Sequence, residues 1–193
     1  MATDDEVRKL AAKGWSDEID ALFENGLPDS QMKILKEAGL FDDDDVADDD
    51  LPPPIDDDAD MAIQDLLEQA EGFFAGSNFD DAIGAFNDIL KLLPEPHFEY
   101  DYATRAYTGI GDAYFSKRDY QNCLAALETA KRCDGGLGNP FVHLRLGQAY
   151  LKLGNEENAA DNLMRAYMAG GGEVFDEEAP EFLAFLRTKA MIE

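Results

Sequence analysis

The sequence predicts an all-α chain: a solenoid of helical hairpins closed by a C-terminal capping helix and preceded by a short helical segment. Three observations carry that expectation. No stretch alternates apolar and polar residues with period two over a useful length. Glycine and proline fall between the helix-periodic segments, where turns belong. One pattern of small and large residues also recurs three times in a single register.

Residues 1–41 read as three short helices. Thr3 or Asp4 caps the first, which runs through Val7, Leu10 and Ala11 and ends by Gly14. Ser16, followed by Asp17, Glu18 and Asp20, opens a second, with Ile19, Leu22 and Phe23 on one face until Gly26. Pro28, Asp29 and Ser30 open a third, holding Met32, Ile34, Leu35 and Ala38 before Gly39.

Residues 42–60 lie in the stretch FDDDDVADDDLPPPIDDDAD and read as an extended linker. A calcium loop needs a glycine at its tight turn and a closing glutamate, and this run has neither. Two compatible readings remain, a self-repelling spacer and an electrostatic arm for a basic partner. The arm comprises Asp42, Asp43, Asp44, Asp45, Asp48, Asp49, Asp50, Asp56, Asp57 and Asp58.

Residues 61–172 hold the repeat. The segments are LLEQAEGFFAGSNFDDAIGAFNDILKLLP, YTGIGDAYFSKRDYQNCLAALETAKRCDG and HLRLGQAYLKLGNEENAADNLMRAYMAGG. A small residue stands at Ala70, Gly111 and Gly147, and an aromatic follows at Phe73, Tyr114 and Tyr150. A second small position comes at Ala82, Cys123 and Ala159, with a large apolar residue at Phe86, Leu127 and Leu163. Next come Ile89, Ala130 and Ala166. Small residues let two antiparallel helices approach, and large ones fill the groove of the neighbouring hairpin. Residues 173–193 include Phe182, Leu183, Phe185 and Leu186 at helical spacing, which suits a helix covering the exposed end of a solenoid.

These positions resemble the tetratricopeptide repeat, and Pro94 falls where that family often places a helix-ending proline. The small positions are 41 and then 36 residues apart, against a family unit of about 34. The excess falls in PEPHFEYDY and in GGLGNP. The resemblance implies a binding groove lined by the first helix of each hairpin. Carried over position by position, its lining is Gln64, Leu67, Glu71 and Phe74, then Arg105, Thr108, Asp112 and Phe115. The third hairpin adds Phe141, Leu144, Gln148, Leu151 and Lys152. Lysine and asparagine at the places where some members grip a C-terminal carboxylate are lacking, so a clamp of that type is not expected.

Composition bounds the rest. The 193 residues carry 42 acids and 16 Lys or Arg, a formal net charge of −26. Up to residue 60 there are 20 acids and 5 bases, net −15, leaving 22 and 11, net −11, for the remainder. Such a field repels nucleic acid and anionic lipid and draws basic proteins, so neither nucleic acid nor membrane is an expected partner. No apolar run has membrane length, and MATDDEVRKL is charged from residue 4. Cys123 and Cys133 read as two reduced thiols of a cytoplasmic protein.

GIGDAY has no nucleotide-binding context, since no strand precedes it and no third glycine follows. His97 and His143 lack ligand-spaced partners, and His143 occupies a packing position of the repeat. No catalytic residue, cofactor or metal site is therefore expected. The expectation is a non-enzymatic protein-binding module. AYMAGGGEVFDEEAPEFLAFLR is similar to the C-terminal part of small bacterial tetratricopeptide proteins that are immunity partners of polymorphic or contact-delivered toxins. That similarity implies an inhibitor occluding a basic toxin domain. The alternatives are a secretion-type chaperone holding an apolar client segment, as in the three-repeat chaperones that AYTGIGDAYF…NPFVHLRLGQAYLKLGNEENAADNL resembles, or a general scaffold.

Overall fold

The structure is a computed structural model and describes residues 3–12, 29–38 and 52–192. The second expected N-terminal helix lies outside the described residues, as do Asp42, Asp43, Asp44, Asp45, Asp48, Asp49 and Asp50. The chain divides into two units, Met1–Leu51 and Pro52–Glu193. The described residues contain helices and turns and no strand, so the chain is all-α.

In the first unit, α1 (Asp4–Ala11) packs on α2 (Asp29–Glu37). Thr3 caps α1 with a reciprocal box: Glu6 N–H donates to its hydroxyl at 3.4 Å, and its own N–H donates to the Glu6 carboxylate at 2.8 Å. Val7 and Ala11 are buried on α1, and Ile34 and Leu35 on α2. Leu10 is only half-buried and Ala38 is exposed, one residue beyond the end of α2.

In the second unit, α3 (Asp57–Ala75) pairs with α4 (Phe79–Leu92), α5 (Asp101–Ser116) with α6 (Tyr120–Ala130), and α7 (Pro140–Lys152) with α8 (Glu156–Gly170). Contacts of α4 with α5 and of α6 with α7 join the hairpins into one solenoid, and α9 (Pro180–Lys189) packs on α8. Helix α3 begins earlier than the linker expectation allows. The Asp56 carboxylate accepts from Ala59 N–H at 2.8 Å, while Asp57 and Asp58 lie in the first helical turn. Negative side chains are favoured at a helix N-terminus. These three aspartates are therefore helix-starting residues, a correction to their place in the arm.

The three hairpin turns share one geometry. N–H groups of Asn78, Asp119 and Asn155 donate to the carbonyls of the repeat aromatics Phe73, Tyr114 and Tyr150, at 2.8, 2.9 and 2.9 Å. The preceding residues, Ser77, Arg118 and Gly154, hold left-handed backbone. This is the six-to-one bond of a Schellman turn. The small positions do what the spacing implies. A Cβ on Gly111 would lie 2.5 Å from Leu127 Cγ, and one on Gly147 would lie 2.6 Å from Leu163 Cγ. Across hairpins, the Phe86 ring fills the space that a side chain on Gly109 would need.

Burial raises the Cys123 thiol pKa to about 12, so it is a packed apolar group. His143 is likewise structural: its ring nitrogens lie 3.0 Å from Asn162 Oδ1 and 2.8 Å from the Leu137 carbonyl. No helix among the described residues is long and apolar enough to cross a membrane.

Candidate protein-binding groove

Helices α3, α5 and α7 carry every residue assigned to the groove, but the structure divides those residues into an exposed group and a covered group. On α3 and α5 the exposed members are Gln64, Glu71 and Arg105. Gln64 Nε2 donates to the Tyr102 hydroxyl at 2.5 Å, and that hydroxyl donates to Asp60 Oδ1 at 2.7 Å. The carboxylate contact is the first cause of the upward shift of the Tyr102 hydroxyl pKa, with burial adding to it. Arg105 sets its guanidinium 5.8 Å from the Tyr102 ring centre. Tyr102 therefore ties the two helices together beneath Gln64 and Arg105. Thr108 is half-buried, and its hydroxyl has no hydrogen-bond partner among the described residues. Phe74 packs edge-on against Phe79 at 5.5 Å.

On α7 the face is filled by the chain's own C-terminal segment. Arg145 is the centre of that closure. Its Nε donates to Asp112 Oδ1 at 2.5 Å, and its Nη1 donates to both Glu178 oxygens at 2.8 Å. The same guanidinium sits 4.9 Å from the ring centres of Phe115 and Phe141. Gln148 adds a bond from Nε2 to Glu178 Oε2 at 2.9 Å. Burial raises the Asp112 carboxyl pKa; Arg145 opposes the shift and Glu178 adds to it. One turn on, Lys152 pairs with Glu181 at 2.5 Å and lies 5.3 Å from the Phe182 ring centre. Phe182 also meets Phe115, at 6.5 Å between ring centres. Behind these polar contacts, Leu144, Leu163, Phe175, Phe182 and Leu186 form one buried cluster, with Phe141 and Leu151 at its edge.

Three groove assignments are corrected by burial. Leu67, Leu144 and Gln148 are inside the fold, because each turns toward a neighbouring element: the α3–α5 core, the C-terminal cluster and Glu178 respectively. Asp112, Phe115, Phe141 and Leu151 contact the C-terminal segment or Arg145 and do not form an open lining, whereas Lys152 stays exposed at the edge while pairing with Glu181. Sequence reasoning missed Arg145, Glu178 and Tyr102. Arg145 alone carried a signal, as a base next to an assigned groove residue in a strongly acidic chain. Among the described residues no three metal-ligating side chains cluster.

A tetratricopeptide-repeat family model matches residues 104–134 and 142–169. A search of curated proteins finds no match. Among solved structures, the chain is similar to the Yersinia enterocolitica type III secretion chaperone SycD in complex with a peptide of the translocator YopD. Identity is 17% and the TM-score 0.55, over 70% of this chain and 95% of that one. The first TPR domain of human RPAP3 matches at 19% identity and a TM-score of 0.50, over 66% and 88% of the two chains. The TPR2AB domains of yeast Sti1, in a complex with pHSP90, match at 16% and 0.52, over 95% and 62%. At these identities the likeness is one of fold. Two of the three hairpins thus match the tetratricopeptide-repeat model, and the first shares their turn geometry, so the solenoid has the tetratricopeptide-repeat fold.

Proposed function

We propose that the chain binds a segment of one partner protein on the exposed face of α3 and α5, with no catalytic step of its own. The observation that carries this reading is the unequal cover of the groove. Gln64, Glu71 and Arg105 are exposed, while the corresponding face of α7 is occupied by Glu178 and Phe182 of the same chain. The occupied part illustrates what such a face accepts, an acid for a buried guanidinium and an aromatic for an apolar hollow. SycD with its YopD peptide and Sti1 with pHSP90 lend support by fold. A chaperone-like or scaffold role in the cytoplasm follows most simply.

The charge of −26 favours a second reading, an immunity-type inhibitor that occludes a basic toxin domain. In it, the aspartates before α3 would speed association.

Photo-crosslinking from inside the source cell tests the first reading. A crosslinking residue is placed at Arg105 or Glu71, and at Met168 as an exposed control. One protein joined from both groove positions and not from Met168 is the expected result. Equal yields from Met168 would overturn it. The isolated partner then separates the two readings: an extended apolar segment binds with weak salt dependence, whereas a folded basic domain is released as salt rises.

A further inference from the structure

The two connections that exceed the repeat length meet in space. Asp134 N–H, at the end of the second hairpin, donates to the Phe98 carbonyl in the first connection at 2.9 Å. The Thr104 hydroxyl donates to the Asp134 carbonyl at 2.6 Å and fixes the junction from α5. Between them lies a cleft of about 410 Å³, lined by His97, Phe98, Tyr107, Thr129, Arg132 and Cys133. None of these is a groove residue. The volume lies in the lower part of the range for ligand clefts, about 300–1,000 Å³, which suits a short segment and not a folded domain.

The walls have distinct chemistry. His97 Nε2 lies 3.1 Å from the Tyr107 hydroxyl and its Nδ1 lies 3.3 Å from Glu95 Oε1, so the ring is held and Glu95 is engaged. Phe98 leaves 50% of its surface exposed, an uncovered aromatic on the rim. Arg132 is also exposed. Its guanidinium makes one hydrogen bond, from Nη2 to the Thr129 hydroxyl at 3.5 Å, and no ion pair among the described residues. An exposed guanidinium with no carboxylate partner, on the same cleft as an uncovered aromatic, is complementary to a carboxylate next to an apolar group.

We infer that this cleft is a second binding site, for a peptide segment in which a carboxylate adjoins an apolar side chain. The carboxylate pairs with Arg132, and the apolar group covers Phe98 against Tyr107 and Cys133. It can be a chain terminus or an Asp or Glu side chain, since either presents the same two oxygens. The site stands independently of the groove.

The test pans a library of short peptides, as free acids and as C-terminal amides, on the full chain. Affinities of the selected peptides are then measured for the chain, for Arg132→Gln, for Phe98→Ser and for the groove variant Arg105→Gln. The expected peptides place a carboxylate beside an apolar residue. They lose about tenfold in affinity with Arg132→Gln, the effect of one charge-assisted hydrogen bond. They weaken with Phe98→Ser and keep their affinity with Arg105→Gln. Binding confined to free acids assigns the terminus, and binding retained by amides assigns an acidic side chain; either supports the site. Failure to select any peptide would overturn it, as would affinities indifferent to Arg132→Gln or dependent on Arg105.

Discussion

Ser77 and Arg118 hold φ of 58° and 61° at turns where the third hairpin has Gly154 at 78°. A side chain at left-handed φ costs about 1 kcal/mol or more. Arg118→Gly is therefore expected to stabilise the chain by up to about 1 kcal/mol, read by denaturant unfolding. The small positions give the opposite sign. A Cβ on Gly147 would lie 2.9 Å from the Leu163 backbone nitrogen, which cannot swing aside as a side chain can. Gly147→Ala should cost about 1–3 kcal/mol. Gly84→Ala, in an exposed helical site with nothing near its added Cβ, should stabilise by about 0.5–1 kcal/mol in the same assay.

Asp112 supplies a pH dependence. Its carboxyl keeps its proton in the folded chain at pH values where the unfolded chain has lost it. The folded state thus binds more protons in that window, and this residue's contribution to stability falls as pH rises through its folded pKa. Side-chain carboxyl NMR should place its midpoint above the ordinary aspartate range. Relative to Asp112→Asn, the unchanged chain should lose stability as pH climbs through that midpoint. A midpoint within or below the ordinary range would contradict the account.

At the scale of elements, the C-terminal segment both caps the solenoid and fills its third groove unit. Phe182 is nearly fully buried and Leu186 fully so. Phe182→Ala should cost about 3–5 kcal/mol through the cavity it leaves. Arg145→Ala should cost about 3 kcal/mol, because Asp112 and Glu178 would remain part-buried without their cation. Both losses would appear in urea unfolding midpoints. Loss of neither would mean that the segment is a loose tail.

Much of this layer is legible in the sequence. Ala70, Gly111 and Gly147 mark the close approaches because helix packing tolerates little else there, and the aromatic that follows each marks the turn. Asp56 was hidden by composition, since an aspartate that caps a helix looks like one more member of an acidic run. Leu67, Leu144 and Gln148 were misplaced because a family position fixes a side chain's rank on its helix but not what later segments fold over it. The Arg145–Glu178 pair spans 33 residues, and no local pattern announces a contact of that separation. The two overlong connections were visible from the spacing, whereas their junction depends on three-dimensional register.

For the whole molecule, a repeat array exposes one long face, and its specificity depends on which parts of that face stay open. The face proposed here for binding is that of α3 and α5, where Gln64, Glu71 and Arg105 are exposed. Backbone hydrogen exchange of the full chain, alone and bound to the partner captured through Arg105, tests this most directly. Slower exchange in α3 and α5 with α9 unchanged is the predicted result. Unaltered exchange in α3 and α5, or faster exchange in α9 as its segment is displaced from Arg145, would contradict the account.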